Sequence, residues 1–137
     1  MADQIQFELV SPERLLVSQP VEMVVVPGVE GDFGVLPGHA PLVSTVRPGV
    51  IAVFEGNKVA QRIFVAGGFA EVTGERCTVL AEEAMPVAEI DRATVEGEIR
   101  TARDDLADAR DEVERVRCES RILSGEAKLA ALDSPAY

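Results

Sequence analysis

The sequence predicts a β + α protein: an N-terminal β-sandwich or flattened barrel followed by a C-terminal α-helical hairpin. Two observations carry this prediction. The first is a shift in composition near Met85-Pro86. Nine of the eleven glycines and six of the eight prolines precede it, whereas 21 of the 52 residues after it are charged, against 16 of the 85 before. Turn chemistry therefore belongs to the first part and solvated helix faces to the second. The second observation is a change of hydrophobic period, from about two residues to about 3.5. The expected domains are residues 1–85, a β-sandwich, and residues 86–137, two helices.

Within the first part, "IQFELV" alternates Ile5, Phe7 and Leu9 with Gln6 and Glu8, the period of a strand with one wet face. "VEMVVVPG" and "GVIAVFEG" are apolar and β-branched, as strands covered on one or both faces require. Gly56-Asn57 lies between two such runs and accepts the positive φ that a two-residue hairpin demands. "IFVAGGFAEVTGERCTVLAEE" continues the pattern, with a second turn at Gly74-Glu75. About eight short strands with tight turns fit a sandwich or flattened barrel. No helix-length segment separates them, which argues against a covered parallel sheet.

From about Val87 to Leu132 the apolar positions Val95, Ile99, Ala102, Leu106, Ala109, Val113, Val116, Leu123, Ala127 and Ala130, with Ser120 as a polar member, step alternately by four and three. Glu96 with Arg100, and Asp111 with Arg115, add acid-before-base pairs one turn apart. One long helix would need a partner for this seam, whereas two helices folded together could cover each other. The polar run "DARDEVERVR" is the expected break, although it holds neither Gly nor Pro. An alanine-rich seam supplies little burial energy, so the hairpin is expected to be marginal and able to open.

Several function classes are excluded by composition. A formal net charge of −11 without a basic cluster argues against nucleic acid and anionic lipid. No apolar run is long enough to cross a membrane, and "MADQIQ" lacks the apolar block of a signal peptide. Cys77 and Cys118 have no companion ligands, so no zinc site or disulfide framework is expected and a reduced compartment is the simplest reading.

Chemistry, if present, would centre on "GVEGDFGVLPGHAPLV", residues 28–43, which holds His39, the single histidine. A histidine base needs a nucleophile and an orienting group, and neither is signalled. Gly28, Gly31, Gly34 and Gly38 match no dinucleotide or P-loop spacing, and Glu30 and Asp32 place negative charge where a phosphate would sit. Paired acids such as Glu82-Glu83 and Asp104-Asp105 read as solvated. What remains is a preordered surface: glycines that permit positive φ, and Pro37 and Pro41 that restrict it. A small enzyme thus lacks a constellation. A free β-sandwich ligand-binding protein with a helical oligomerisation tail stays open as an alternative.

"EGDFGVLPGHAPLVSTVRPGVI", then "FVAGGFAEV", then the acidic, Ala-rich tail resemble the epsilon subunit of the bacterial F-type ATP synthase, equivalent to the mitochondrial delta subunit. The resemblance covers essentially the whole chain in order and spacing. It implies a β-sandwich of about the first 85 residues acting as a docking domain, and a C-terminal pair of antiparallel helices. It also implies a non-catalytic, cofactor-free subunit of the central rotor, bound to gamma and to the ring of c subunits, at the cytoplasmic face of the bacterial inner membrane. Carried over residue by residue, Glu30, Gly31 and Asp32 are expected to contact the c ring, and Val35, Leu36, Pro37 and His39 to form the surrounding docking surface. The helices would reach the alpha/beta head when extended and inhibit hydrolysis there. Some members bind ATP through an (Ile/Leu)-Asp-x-x-Arg-Ala motif. Here Ile90 and Asp91 match, but Thr94 and Val95 replace Arg and Ala. Arg92 lies about 200° away around a helix and cannot substitute, so the nucleotide motif is incomplete.

Overall fold

A computed structural model describes residues 3–133. The chain forms two compact units that divide between Pro86 and Val87. Residues 1, 2 and 134–137, at the outer ends of the two expected domains, lie outside the described residues.

The first unit is a sandwich of ten strands, more than the eight or so expected: β1 (Ile5–Val10), β2 (Leu15–Val21), β3 (Met23–Gly28), β4 (Gly31–Val35), β5 (Leu42–Thr45), β6 (Gly49–Glu55), β7 (Lys58–Ala66), β8 (Phe69–Val72), β9 (Arg76–Leu80) and β10 (Glu83–Pro86). One sheet has the order β2-β1-β9-β8-β5 and the other β10-β7-β6-β3-β4. Alternation decides what enters the core. Ile5, Phe7 and Leu9 of β1 are fully buried and meet Val24 and Val26 of β3, Ile51 and Val53 of β6, and Val72, Cys77 and Val79 in one apolar cluster. Burial pushes the Cys77 thiol up to about 12, so it is a protonated core residue at neutral pH. All strand pairs are antiparallel except β1 with β9. That parallel pair needs no helical crossover, because the chain returns to β1 by way of the other sheet.

The turns follow their residues. Gly56 has φ +63° and Asn57 a negative φ, the pattern of a type II′ hairpin with glycine first. Gly67 and Gly68, where the chain steps from β7 in one sheet to β8 in the other, have φ of +73° and +92°. A Cβ on Gly68 would lie 1.8 Å from the Leu80 carbonyl oxygen. No other residue fits there.

The second unit opens with a 3₁₀ turn at Val87–Glu89 and continues as α1 (Arg92–Ala107) and α2 (Glu112–Asp133). The break falls within the expected polar run, and its signal is a capping arrangement. Asp111 Oδ1 accepts from the Glu114 backbone N–H at 2.8 Å, and Glu114 Oε2 accepts from the Arg110 N–H at 2.9 Å. The helices are antiparallel: Arg92 pairs with Asp133, Glu98 with Lys128 at 4.0 Å, and Asp105 with Arg121 at 2.9 Å.

The expected seam holds on α1 and fails on α2. Val95, Ile99 and Ala102 are buried, but on α2 the buried positions are Cys118, Gly125, Lys128 and Ala131. Val113, Val116 and Leu123 are 66%, 49% and 61% exposed. Two short helices joined by a turn are free to rotate out of a common heptad phase, and α2 turns Gly125 toward Ile99. A Cβ at Gly125 would stand 2.5 Å from Ile99 Cγ1. The helices approach closely because one residue has no side chain.

Candidate functional site

Residues 28–43 are not one loop. β3 and β4 form a hairpin whose tip is Val29-Glu30, with Gly28 opposite Gly31. Gly28 is required there, since a Cβ would lie 2.9 Å from both the Gly31 oxygen and the Phe33 ring. Val29 and Glu30 both have negative φ, which excludes the primed turns, and Gly31 takes up the mismatch at φ +137°. β4 is an edge strand of its sheet and β5 is an edge strand of the other, so residues 31–45 run down one side of the sandwich.

Between those edges, Leu36-Pro37-Gly38-His39 is a type II turn. Proline occupies the second position, Gly38 has φ +84°, and the His39 N–H donates to the Leu36 carbonyl at 3.1 Å. The Gly38 N–H donates to the Gly74 carbonyl at 2.8 Å, which fastens the turn to the β8–β9 connection. The segment is held in one shape.

Two fasteners hold the hairpin tip from the segment that crosses from β5 to β6. The Val29 N–H donates to the Thr45 carbonyl at 2.9 Å, and the Arg47 N–H to the Pro27 carbonyl at 2.9 Å. The Arg47 guanidinium then spans both strands, donating to the Gly28 carbonyl at 2.6 Å and to Asp32 Oδ1 at 2.5 Å. Asp32 is thus engaged in a local ion pair, whereas Glu30 stands exposed at the tip and makes no ion pair among the described residues. Sequence reasoning did not find Arg47, because its partners are 15 and 19 residues away.

Leu36 is 54% exposed, while Pro37 and His39 are partly exposed. Val35 is fully buried in the core, which corrects its expected place in a docking surface: the alternation of β4 turns it inward with Phe33. His39 Nδ1–H donates to the Ala40 carbonyl at 2.6 Å, and no serine, cysteine or carboxylate reaches the ring among the described residues. Among the described residues of this edge no pair of groups is set in hydrogen-bond reach for proton transfer. Among the described residues, no cluster of three His, Cys, Asp or Glu could hold a metal.

Ile90 is buried and Asp91 is the N-cap of α1. The Asp91 carboxylate accepts from the Thr94 N–H at 3.0 Å and from the Thr94 hydroxyl at 2.5 Å. The residue that replaces the motif's arginine therefore occupies the acid. The Thr94 hydroxyl, and after it the Thr94 N–H, hold the Asp91 carboxyl below its ordinary value of 3.8. A depressed folded-state pKa contributes stability above the unfolded-state value, and that contribution is lost as pH falls through the folded one. Acid titration of the helical circular dichroism should therefore show loss of signal below about pH 4, and Asp91→Ala should remove that component. An unchanged acid limb in Asp91→Ala would contradict this.

The fold defines a two-unit protein, a β-sandwich with a braced, glycine-shaped edge followed in sequence by a pair of antiparallel helices. Similarity to known proteins points the same way. Residues 4–87 match the family described as ATP synthase, Delta/Epsilon chain, beta-sandwich domain, and residues 91–137 match the C-terminal domain family of the ATP synthase epsilon chain. The sequence is 57% identical to the ATP synthase epsilon chain of Rhodospirillum rubrum, covering 96% of this protein and 98% of that one. It is 58% identical to that of Rhodospirillum centenum, covering 98% and 95%. Among solved structures it resembles a subunit of the Euglena gracilis mitochondrial ATP synthase (OSCP/F1/c-ring) with TM-score 0.80 and 30% identity, covering 96% and 83%. A subunit of the Tetrahymena thermophila mitochondrial central stalk and c ring shares the fold, with TM-score 0.63 and 13% identity, covering 93% and 95%.

The chain belongs to the ATP synthase delta/epsilon family. Its function is that of a non-catalytic central-stalk subunit of the F-type ATP synthase, and the alternative of a free ligand-binding sandwich with an oligomerisation tail is set aside.

Proposed function

We propose that residues 1–85 dock this subunit to gamma and to the c ring, and that residues 86–137 form a regulatory unit able to reach the alpha/beta head. The observation that carries the docking reading is the β3–β4 tip: an exposed acid, Glu30, beside Gly31, on an edge hairpin whose β3 backbone is fastened by residues 45–47. A rigid tip loses little entropy on association, and its charge registers the contact with polar or basic loops of the ring. Leu36, Pro37 and His39 flank that contact. The subunit works peripherally at the cytoplasmic face of the bacterial inner membrane; no described helix is long and apolar enough to cross a membrane.

The regulatory reading rests on α2. Its Val113, Val116 and Leu123 lie exposed while the residues it buries are Cys118, Gly125, Lys128 and Ala131, so α2 gives up little apolar contact when the hairpin opens. The nucleotide motif is incomplete, with Thr94 in the place of its arginine and Asp91 engaged as a cap, so the regulatory reading is built on the hairpin and not on ATP.

Glu30→Lys tests the docking reading. F1 carrying it should bind F1-stripped membranes roughly two- to fivefold more weakly, with altered salt dependence, as expected for one rim charge. Binding and ATP-driven proton pumping equal to wild type across the salt range would refute it.

A further inference from the structure

We propose that Arg47 is a positioning residue for ring docking: its guanidinium locks the β3–β4 tip to the crossing between the two sheets and so fixes the direction in which Glu30 is presented. This inference rests on the docking reading above and extends it to a residue outside the tip.

Arg47 lies between β5, an edge strand of one sheet, and β6, an interior strand of the other. Its backbone N–H is committed to the Pro27 carbonyl, and the neighbouring Val46 N–H donates to the Gly68 carbonyl at 3.1 Å. The base of the side chain is therefore anchored to β3 and to the β7–β8 connection between the sheets. From that anchor its fork reaches one group on each strand of the hairpin, the Gly28 carbonyl on β3 and the Asp32 carboxylate on β4. Only a planar, multi-donor cation can hold two acceptors in fixed relation; an ammonium is a point charge without that directionality. Gly28 and Gly31 flank the tip and are the residues with the widest backbone freedom, so without the fork the tip would sample more orientations. A lateral load applied to Glu30 passes through Asp32 and Gly28 into Arg47, and from there into β3 and the β7–β8 connection.

The latch predicts a pattern of non-additivity. F1 carrying each variant is titrated onto F1-stripped membranes, and the concentration that restores half of ATP-driven proton pumping is read. Arg47→Ala should raise it by about two- to fivefold, the scale of one partly exposed ion pair. Asp32→Asn should do the same, Arg47→Lys should recover only part of the loss, and Arg47→Ala with Asp32→Asn should be no worse than either alone. On a Glu30→Ala background, Arg47→Ala should have no further effect, because the group it aims has gone. A purely structural arginine would instead lower the melting temperature of the subunit and weaken binding equally on both backgrounds, which would overturn the proposal. Wild-type titration of Arg47→Ala alongside a weakened Glu30→Ala also overturns it while leaving the docking reading intact. A wild-type titration of Glu30→Ala removes the docking reading, and the latch with it.

Discussion

Gly68→Ala is expected to destabilise the β unit by about 4 kcal/mol or more, enough to prevent its accumulation as a folded subunit. The magnitude has two sources. An L-residue at φ +92° carries backbone strain of about 1–3 kcal/mol. The new Cβ also meets a backbone carbonyl, Leu80 O at 1.8 Å, which no side-chain rotation can relieve. Gly67→Ala is the internal control. It shares a positive φ of +73°, but its Cβ would meet only the side chain of Glu82, which can swing into solvent. Urea denaturation should therefore place Gly67→Ala about 1–2 kcal/mol below wild type and Gly68→Ala far lower. Equal losses in the two variants would show that the close approach to Leu80 is not what demands glycine.

Gly125→Val should pry the helical unit apart. Valine fills the gap into which Ile99 packs, with its first carbon already within 2.5 Å of Ile99 Cγ1. Overpacking of this kind costs about 1–3 kcal/mol, and the gain in helix propensity over glycine returns well under 1 kcal/mol. The other buried residues of the two helices are Val95, Ala102, Cys118, Lys128 and Ala131, and the Arg92–Asp133 and Arg121–Asp105 ion pairs are exposed, which leaves little reserve. Amide exchange in α1 and α2 should accelerate by roughly 30-fold for a 2 kcal/mol loss, with the strands unaffected. On the regulatory reading proposed above, the population with opened helices in the assembled complex should rise and ATP hydrolysis should fall. Exchange in α1 and α2 as slow as wild type would contradict the marginal hairpin.

The two helices also mark where sequence reasoning stops. On α1 the apolar period located Val95, Ile99 and Ala102 correctly, because bulk on one face is what packs there. On α2 the same period selected Val113, Val116 and Leu123, which are exposed. The contact there is made by the absence of a side chain at Gly125 and by the stem of Lys128, and a hydrophobic pattern registers neither. The start of α2 is legible as Asp111-x-x-Glu114, a capping signal that needs neither Gly nor Pro. At this edge of the sandwich, Pro37-Gly38 encodes its type II turn locally. Val35 was misplaced because "GDFGV" carries two glycines and reads as loop until Phe33 and Val35 are seen to alternate inward. The Arg47 bridge joins residues that only the completed sandwich brings together.

The parallel pairing of β1 with β9 bears on biosynthesis. β1 lies inside its sheet, between β2 and β9, and pairs Phe7 with Cys77 and Leu9 with Val79. One edge of β1 therefore waits for residues some 70 positions later, at roughly 5–20 residues per second a delay of several seconds. During that interval β1 has β2 on one edge and, as they emerge, β3 and β6 over its apolar face, but its other edge stays unpaired, and an unpaired strand edge is a site for wrong association. The helical unit, built from contacts between neighbours in sequence, can form as soon as it emerges. Nascent chains should therefore be most dependent on chaperones before Leu80 has emerged, and largely independent of them once β9 has joined its partner.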